Sequence, residues 1–232
     1  MSDNTESNGE SEVRPFELTA FGEPPVHGFL HGPAKPSGNG LVLTHGAGAD
    51  CQSPLLLALA TALCEFGVTV LRCDLPFRQR QPHGPPPRGS AVHDQEGLRR
   101  AVEALRREVP RRVFLGGHSY GGRQGSMLAA SQPGLIDGLL LLAYPLHPPK
   151  RADQLRTAHF PSLRTPALFV HGTRDGFGSI EELTAALKLI PAATELLPVT
   201  GAGHELLTSR NRRDLPIMVA EEFRRLVSGE SD

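Results

Sequence analysis

LGGHSYGGRQG, residues 115–125, sets four glycines, Gly116, Gly117, Gly121 and Gly122, around one serine, Ser119. A glycine inside a helix or strand is unfavourable by about 0.5–1 kcal/mol relative to alanine. A stretch that concentrates this cost must gain something from the missing side chains. Val113, Phe114 and Leu115 read as a short buried strand, and the small and apolar residues after Ser119 read as a helix to residue 131. Gly117-His118-Ser119-Tyr120-Gly121 is therefore a G-x-S-x-G at a strand-to-helix join. There the backbone turns so sharply that flanking side chains would collide, and the turn lifts one hydroxyl to the sheet edge. Glycine-rich turns join many strands to helices without any chemistry, so the rest of the chain has to supply partners for the serine.

Outward from this join, short apolar runs alternate with helical patterns. Residues 16–20 and 26–32 read as an antiparallel hairpin turned by Gly22, Glu23, Pro24 and Pro25. Further strands are expected over 41–44, 68–72, 139–143, 167–170 and 194–197. A helix opens at Pro54, where proline is tolerated, and stops at Gly67. Other helices are expected over 91–108, 181–189 and 214–227. Continuous apolar strands are buried on both faces, as in a parallel sheet covered by helices. The expected fold class is α/β, three layers around a mostly parallel central sheet with an N-terminal antiparallel hairpin. Residues 1–13, which open MSDNTESNGESE, are expected to form a disordered tail, and 14–232 a single domain.

Composition narrows the possible partners. The 232 residues are 39% hydrophobic, enough for one sizeable core. A formal net charge of -1 gives no reason to expect nucleic acid or an anionic membrane surface. No apolar stretch reaches the roughly 18–20 residues of a membrane helix, and the N-terminus has no secretory pattern. Cys51, Cys64 and Cys73 form neither a disulfide framework nor a CxxC pair. Together these point to a soluble, cytoplasmic protein.

A serine hydroxyl is a weak nucleophile and needs a base held by an acid. With an elbow of this kind the chain order is serine, acid, histidine. ALFVHGTRDGFG, residues 167–178, places Asp175 in a glycine-bracketed loop after a strand. Asp153 falls in a charged non-strand segment, and Asp137 precedes its strand, on the wrong edge. TELLPVTGAGHEL, residues 194–206, places His204 in a loop after the last strand. His27 and His31 read as ordinary strand residues. His83, His93, His147 and His159 read as solvated, while His118 could line a pocket or simply pack. No histidine pair has a metal-binding spacing, so no metal and no cofactor are expected.

A tetrahedral oxyanion needs two backbone N–H donors. Tyr120, after the serine, is one, and Ala47 or Gly48 in THGAGAD, residues 44–50, is the other, with His45 and Gly46 shaping the turn. A dinucleotide fingerprint fails on the same loop, because Cys51 stands where a third glycine is needed.

HGAGA (45–49), GHSYGG (117–122), HGTRDGFG (171–178) and GAGH (201–204), in that order, resemble the α/β-hydrolase superfamily from Leu41 to the C-terminus. LRCDLPFR (71–78) and Gly121-Gly122-Arg123 look closest to its small dienelactone-hydrolase-like branch. The resemblance implies an α/β-hydrolase fold, a Ser119–Asp175–His204 triad and a small ester or related acyl substrate. It also leaves a second reading, a hydrolase-shaped binding module with little turnover. The segment between Leu142 and Ala167 is too short for the large cap domain of many superfamily members, so an open site is expected. Residues 81–89, QPHGPPPRG, are expected to wall its mouth. His45, His118, Arg78, Arg80 and Arg123 are candidate substrate contacts. The arginines would favour an anionic substrate, unless they serve as salt bridges or exposed charges.

Overall fold

Eight strands form one sheet in the order β1-β2-β4-β3-β5-β6-β7-β8. The structure, a computed structural model, describes residues 11–229. β1 (Glu12–Leu18) and β2 (Val26–Gly32) form the N-terminal hairpin. β2 pairs antiparallel with β4 (Thr69–Cys73). From β4 onward the sheet is parallel through β3 (Gly40–Thr44), β5 (Val113–His118), β6 (Leu139–Leu142), β7 (Ala167–Gly172) and β8 (Thr194–Val199). The helices are α1 (Pro54–Glu65), α2 (Pro76–Arg80), α3 (Ser90–Glu108), α4 (Tyr120–Ser131), α5 (Ile180–Leu187) and α6 (Asp214–Ser228). All are connected as the α/β pattern requires.

Period-two alternation divides the apolar strands between two cores. Val42, Leu115, Leu141 and Phe169 face the side packed by α3, α4 and α5. Leu43, Phe114, Leu140 and Val170 face the side packed by α1 and α6. Every residue of β3, β4, β5, β6 and β7 is buried. This is why those strands read as unbroken apolar runs. The parallel strands end together at one edge, where the loops carrying Ser119, Asp175, His204 and residues 45–51 gather.

The boundaries depart from expectation where pairing, rather than hydrophobicity, makes the strand. β1 starts at Glu12, not 16, and none of its residues is buried. Its Glu12 and Val13 are ordered by backbone pairing with Gly32 and His31, which no hydrophobic pattern announces. Of the tail expected over 1–13, residues 1–10 lie outside the described residues. β5 continues through Gly116, Gly117 and His118, because Leu43, Thr44 and Leu140 to Leu142 offer backbone partners on both sides. The five-residue helix α2 was not expected. Pro76 starts it, and the buried carboxylate of Asp94 accepts the Phe77 N–H at 2.9 Å. Between β6 and β7 lies only the short 3-10 turn Phe160–Ser162, so there is no large cap. Among the described residues no helix is long and apolar enough to cross a membrane.

Phe169 on β7 is fully buried, with Tyr144 at 5.9 Å and Phe160 at 6.3 Å between ring centres. Phe169→Ala should lower the unfolding free energy by about 3–5 kcal/mol, read from urea denaturation.

Candidate active site

Ser119 sits between β5 and α4 with φ 49° and ψ -111°, a left-handed conformation that costs a non-glycine residue energy. Close backbone approach imposes it. A Cβ on Gly117 would lie 2.5 Å from the Gly122 nitrogen, and one on Gly121 would lie 2.5 Å from the His45 carbonyl oxygen. The strand end, the helix start and the loop after β3 touch only because these side chains are missing. The Ser119 N–H donates to Leu142 O at 2.8 Å, and the Arg123 N–H donates to Ser119 O at 3.0 Å. The bend is thereby tied to β6 on one side and to α4 on the other.

The loops after β7 and β8 bring Asp175 and His204 to this hydroxyl. His204 Nε2 accepts the Ser119 O–H at 2.7 Å, and His204 Nδ1–H donates to Asp175 Oδ2 at 2.8 Å. The other carboxylate oxygen, Oδ1, accepts the Phe177 N–H at 2.8 Å. Burial alone would raise the Asp175 carboxyl. The His204 and Phe177 hydrogen bonds outweigh it and hold the group below the ordinary carboxylate range. The Phe177 ring stacks on the His204 imidazole at 4.1 Å between centres. A capping box at Ser179 and Glu182 starts α5 and anchors the far end of the Asp175 loop. Asp137 accepts the Val113 N–H at the opposite edge of the sheet, and Asp153 is exposed beside Arg151.

His118 lines the site but is already engaged. Its Nε2–H donates to the His204 carbonyl at 2.8 Å. Burial lowers its pKa and outweighs the raising effect of that hydrogen bond. The ring braces the backbone that carries His204. Tyr120 occupies the first position of α4, where a helix has no internal partner for the N–H. Its hydroxyl donates to Asp94 Oδ2 at 2.7 Å, joining α4 to α3 and α2.

The loop after β3 carries Ala47 and Gly48 to the edge of the same cavity. Three expected substrate contacts prove to lie elsewhere. His45 is fully buried: its Nδ1–H donates to Gly46 O at 2.8 Å, and its Nε2 accepts the Leu75 N–H at 3.1 Å. Arg78 is 5% exposed and donates to four carbonyls, of Ala49 at 2.8 Å, Gln81 at 2.9 Å, Ala47 at 2.7 Å and Gly84 at 3.0 Å. Four of its five N–H groups are thereby spent inside the protein, which leaves no bidentate fork for a substrate anion. Arg80 is exposed and faces a separate surface depression beside Arg88 and His93. Arg72 and Asp74 complete the brace of this loop, by hydrogen bonds to Cys51 O and from the Cys51 N–H.

Ser119, His204 and Phe177 open onto a cavity of about 640 Å³. Pro85 and Pro86 of the expected proline-rich wall line it, as does Arg123. Sequence reasoning missed Phe177, Asp94 and Arg156. Phe177 follows Asp175 by two residues within HGTRDGFG, and nothing in that stretch marks its ring as a partner of His204. Asp94 reads as one more polar residue of a surface helix. Arg156 lies in a segment with no regular period, and only the path of the chain after β6 brings it to the cavity. Among the described residues no cluster of three or more metal-ligating side chains forms.

The family profile described as "Alpha/beta hydrolase domain" matches residues 37–220. Similar solved structures include a dienelactone hydrolase from Anabaena variabilis, with 22% identity, TM-score 0.73, and 93% of this chain and 98% of that chain covered. Est1E from Butyrivibrio proteoclasticus aligns at 17% identity and TM-score 0.73, covering 92% and 99%. XC6422 from Xanthomonas campestris, a member of the a/b serine hydrolases without lid, aligns at 20% identity and TM-score 0.69, covering 92% and 94%.

Two outcomes follow from this geometry. Arg78→Met removes four part-buried hydrogen bonds to carbonyls and should lower the unfolding free energy by about 2–3 kcal/mol in chemical denaturation. The depressed Asp175 carboxyl contributes stability that is fully present above the ordinary carboxylate value of about 4 and is lost as pH falls through its folded value. Asp175→Asn should therefore show a shallower loss of urea stability than the wild type between about pH 5 and 2.5.

Proposed function

The chain belongs to the Alpha/beta hydrolase domain family, and on that premise we propose that it is a serine hydrolase of small carboxylic esters or related acyl compounds. The observation that carries this reading is the continuous relay from Asp175 through His204 to Ser119, with distances of 2.8 and 2.7 Å, at the wall of an open cavity. In this reading Ser119 Oγ attacks the acyl carbon while His204 Nε2 takes its proton. The Asp175 carboxylate orients the ring and stabilises the imidazolium. The Tyr120 N–H and that of Ala47 or Gly48 hold the developing oxyanion, aided by the positive end of the α4 dipole. Collapse expels the alcohol with the proton returned from His204. Water then attacks the acyl-enzyme with His204 again as base, releasing the acid and restoring Ser119.

The absence of a large cap accords with small substrates that enter directly, as does the description of XC6422 as lidless. Partners in this reading are small molecules, with neither nucleic acid nor membrane. Three buried, unpaired thiols, Cys51, Cys64 and Cys73, support a cytoplasmic setting. A binding module without turnover would have no use for a strained serine hydrogen-bonded to a carboxylate-oriented histidine.

A fluorophosphonate probe should label the wild type and not Ser119→Ala. Turnover of p-nitrophenyl acetate should fall about 10⁴–10⁶-fold in Ser119→Ala and His204→Ala. Equal labelling of wild type and Ser119→Ala would remove the serine from the chemistry.

A further inference from the structure

Among the described residues the buried arginines spend their N–H groups inside the fold, and the half-buried Arg123 differs from them. Arg72 donates to His31 Nε2 at 2.7 Å, Arg78 to four carbonyls, and Arg100 pairs with Glu23 at 2.8 Å. Arg123 has a buried Nε with no hydrogen-bond partner. It also lines the cavity, one helical turn beyond Ser119 on α4. Arg156 lines the same cavity, half-buried, with its Nη1 donating to Pro145 O at 3.3 Å. Among the described residues, neither guanidinium has a carboxylate within ion-pair distance. The one acidic residue on the cavity wall, Glu205, is exposed and pairs with neither.

The groups behind this pair do not neutralise it. His159 is lowered to about 4 by burial and by the charge of Arg123, so it is uncharged at neutral pH while bonded to Ser126 Oγ at 2.8 Å. The Tyr144 hydroxyl donates to the Arg156 carbonyl at 2.7 Å, which fixes the backbone of that arginine. Arg156 itself is lowered by burial and then by the charge of Arg123, so the two cations stand close enough to repel. Two like charges on one cavity wall beside a nucleophile, with no carboxylate to pair them, favour an anion there. A planar anion able to bridge guanidinium groups fits best, because arginine engages carboxylates bidentately.

We propose that Arg123 and Arg156 form a carboxylate subsite, so that the preferred substrate is an ester bearing a free carboxylate on its acyl chain or on its alcohol. This rests on the serine-hydrolase reading and names its substrate class. Two matched pairs separate the sources. p-Nitrophenyl hemiglutarate against p-nitrophenyl valerate places the charge on the acyl side. 4-Acetoxybenzoate against its methyl ester places it on the alcohol side.

At least one charged member should exceed its neutral match by tenfold or more in kcat/KM. That ratio should fall at least tenfold in Arg123→Gln and in Arg156→Gln, whereas Arg80→Gln, outside the cavity, keeps the wild-type ratio. Arg123→Lys retains charge without the planar fork and should show an intermediate ratio, which guards against misfolding of the glutamine variant. Charged-to-neutral ratios of one or below in both pairs, or ratios unmoved in both glutamine variants, would overturn the subsite and leave the hydrolase reading standing. Absence of any Ser119-dependent turnover would instead strike the hydrolase reading. Calorimetric titration of monomethyl glutarate then decides the subsite alone: binding at least tenfold weaker in Arg123→Gln supports it, and no binding to the wild type overturns it.

Discussion

Everything at the site depends on a backbone forced into an unfavourable bend at Ser119. A left-handed conformation at a non-glycine residue costs of the order of 1–3 kcal/mol and persists only where its surroundings leave no alternative. Here β5, α4 and the loop after β3 meet at distances that a single Cβ on Gly117 or Gly121 would violate. The two apolar cores hold the strand and the helix in that contact. The bend turns the hydroxyl outward to His204, and it sets the first N–H of α4 beside the same cavity.

A strained serine is of little use unless its partners are equally fixed. Each of the other loops at the sheet edge is held by buried hydrogen bonds rather than by its own conformation. Arg72 on β4, and Asp74 and Arg78 in the segment that follows it, grip the loop after β3. The Phe177 amide and the start of α5 hold the Asp175 loop, and His118 holds the backbone of His204. Such bracing lets dipoles and donors stand in place before any substrate arrives, which is the condition for electrostatic stabilisation without reorganisation.

Arginine illustrates how position outweighs identity. Arg78 and Arg123 both lie close to the site in the chain's final form, yet they have opposite characters. The first is walled in among carbonyls and acts as a rivet. The second lines the cavity, with a buried Nε unpaired and a second cation nearby. Nothing in the residue type or in its immediate sequence distinguishes them. The difference comes from which backbone carbonyls the fold delivers to each guanidinium.

Much of the fold could be read from the chain alone, and so could the three side chains that the sheet-edge loops bring within hydrogen-bond distance. Local rules are strong where glycine spacing, strand ends and chain order coincide, and so Ser119, Asp175 and His204 could be named from motifs and position. The alternation of apolar runs announced a covered parallel sheet, because burial on both faces leaves that mark on composition. Other features left no such mark. β1 became a strand through backbone pairing at an exposed edge, and Pro76 began a helix because a distant carboxylate, Asp94, accepts the Phe77 N–H. The fate of His45 and Arg78, the stacking of Phe177 and the arrival of Arg156 at the cavity were decided by tertiary structure. Each depends on contacts between segments far apart in the chain, and a side chain's burial and partners are set by the packing of those segments rather than by its neighbours in sequence.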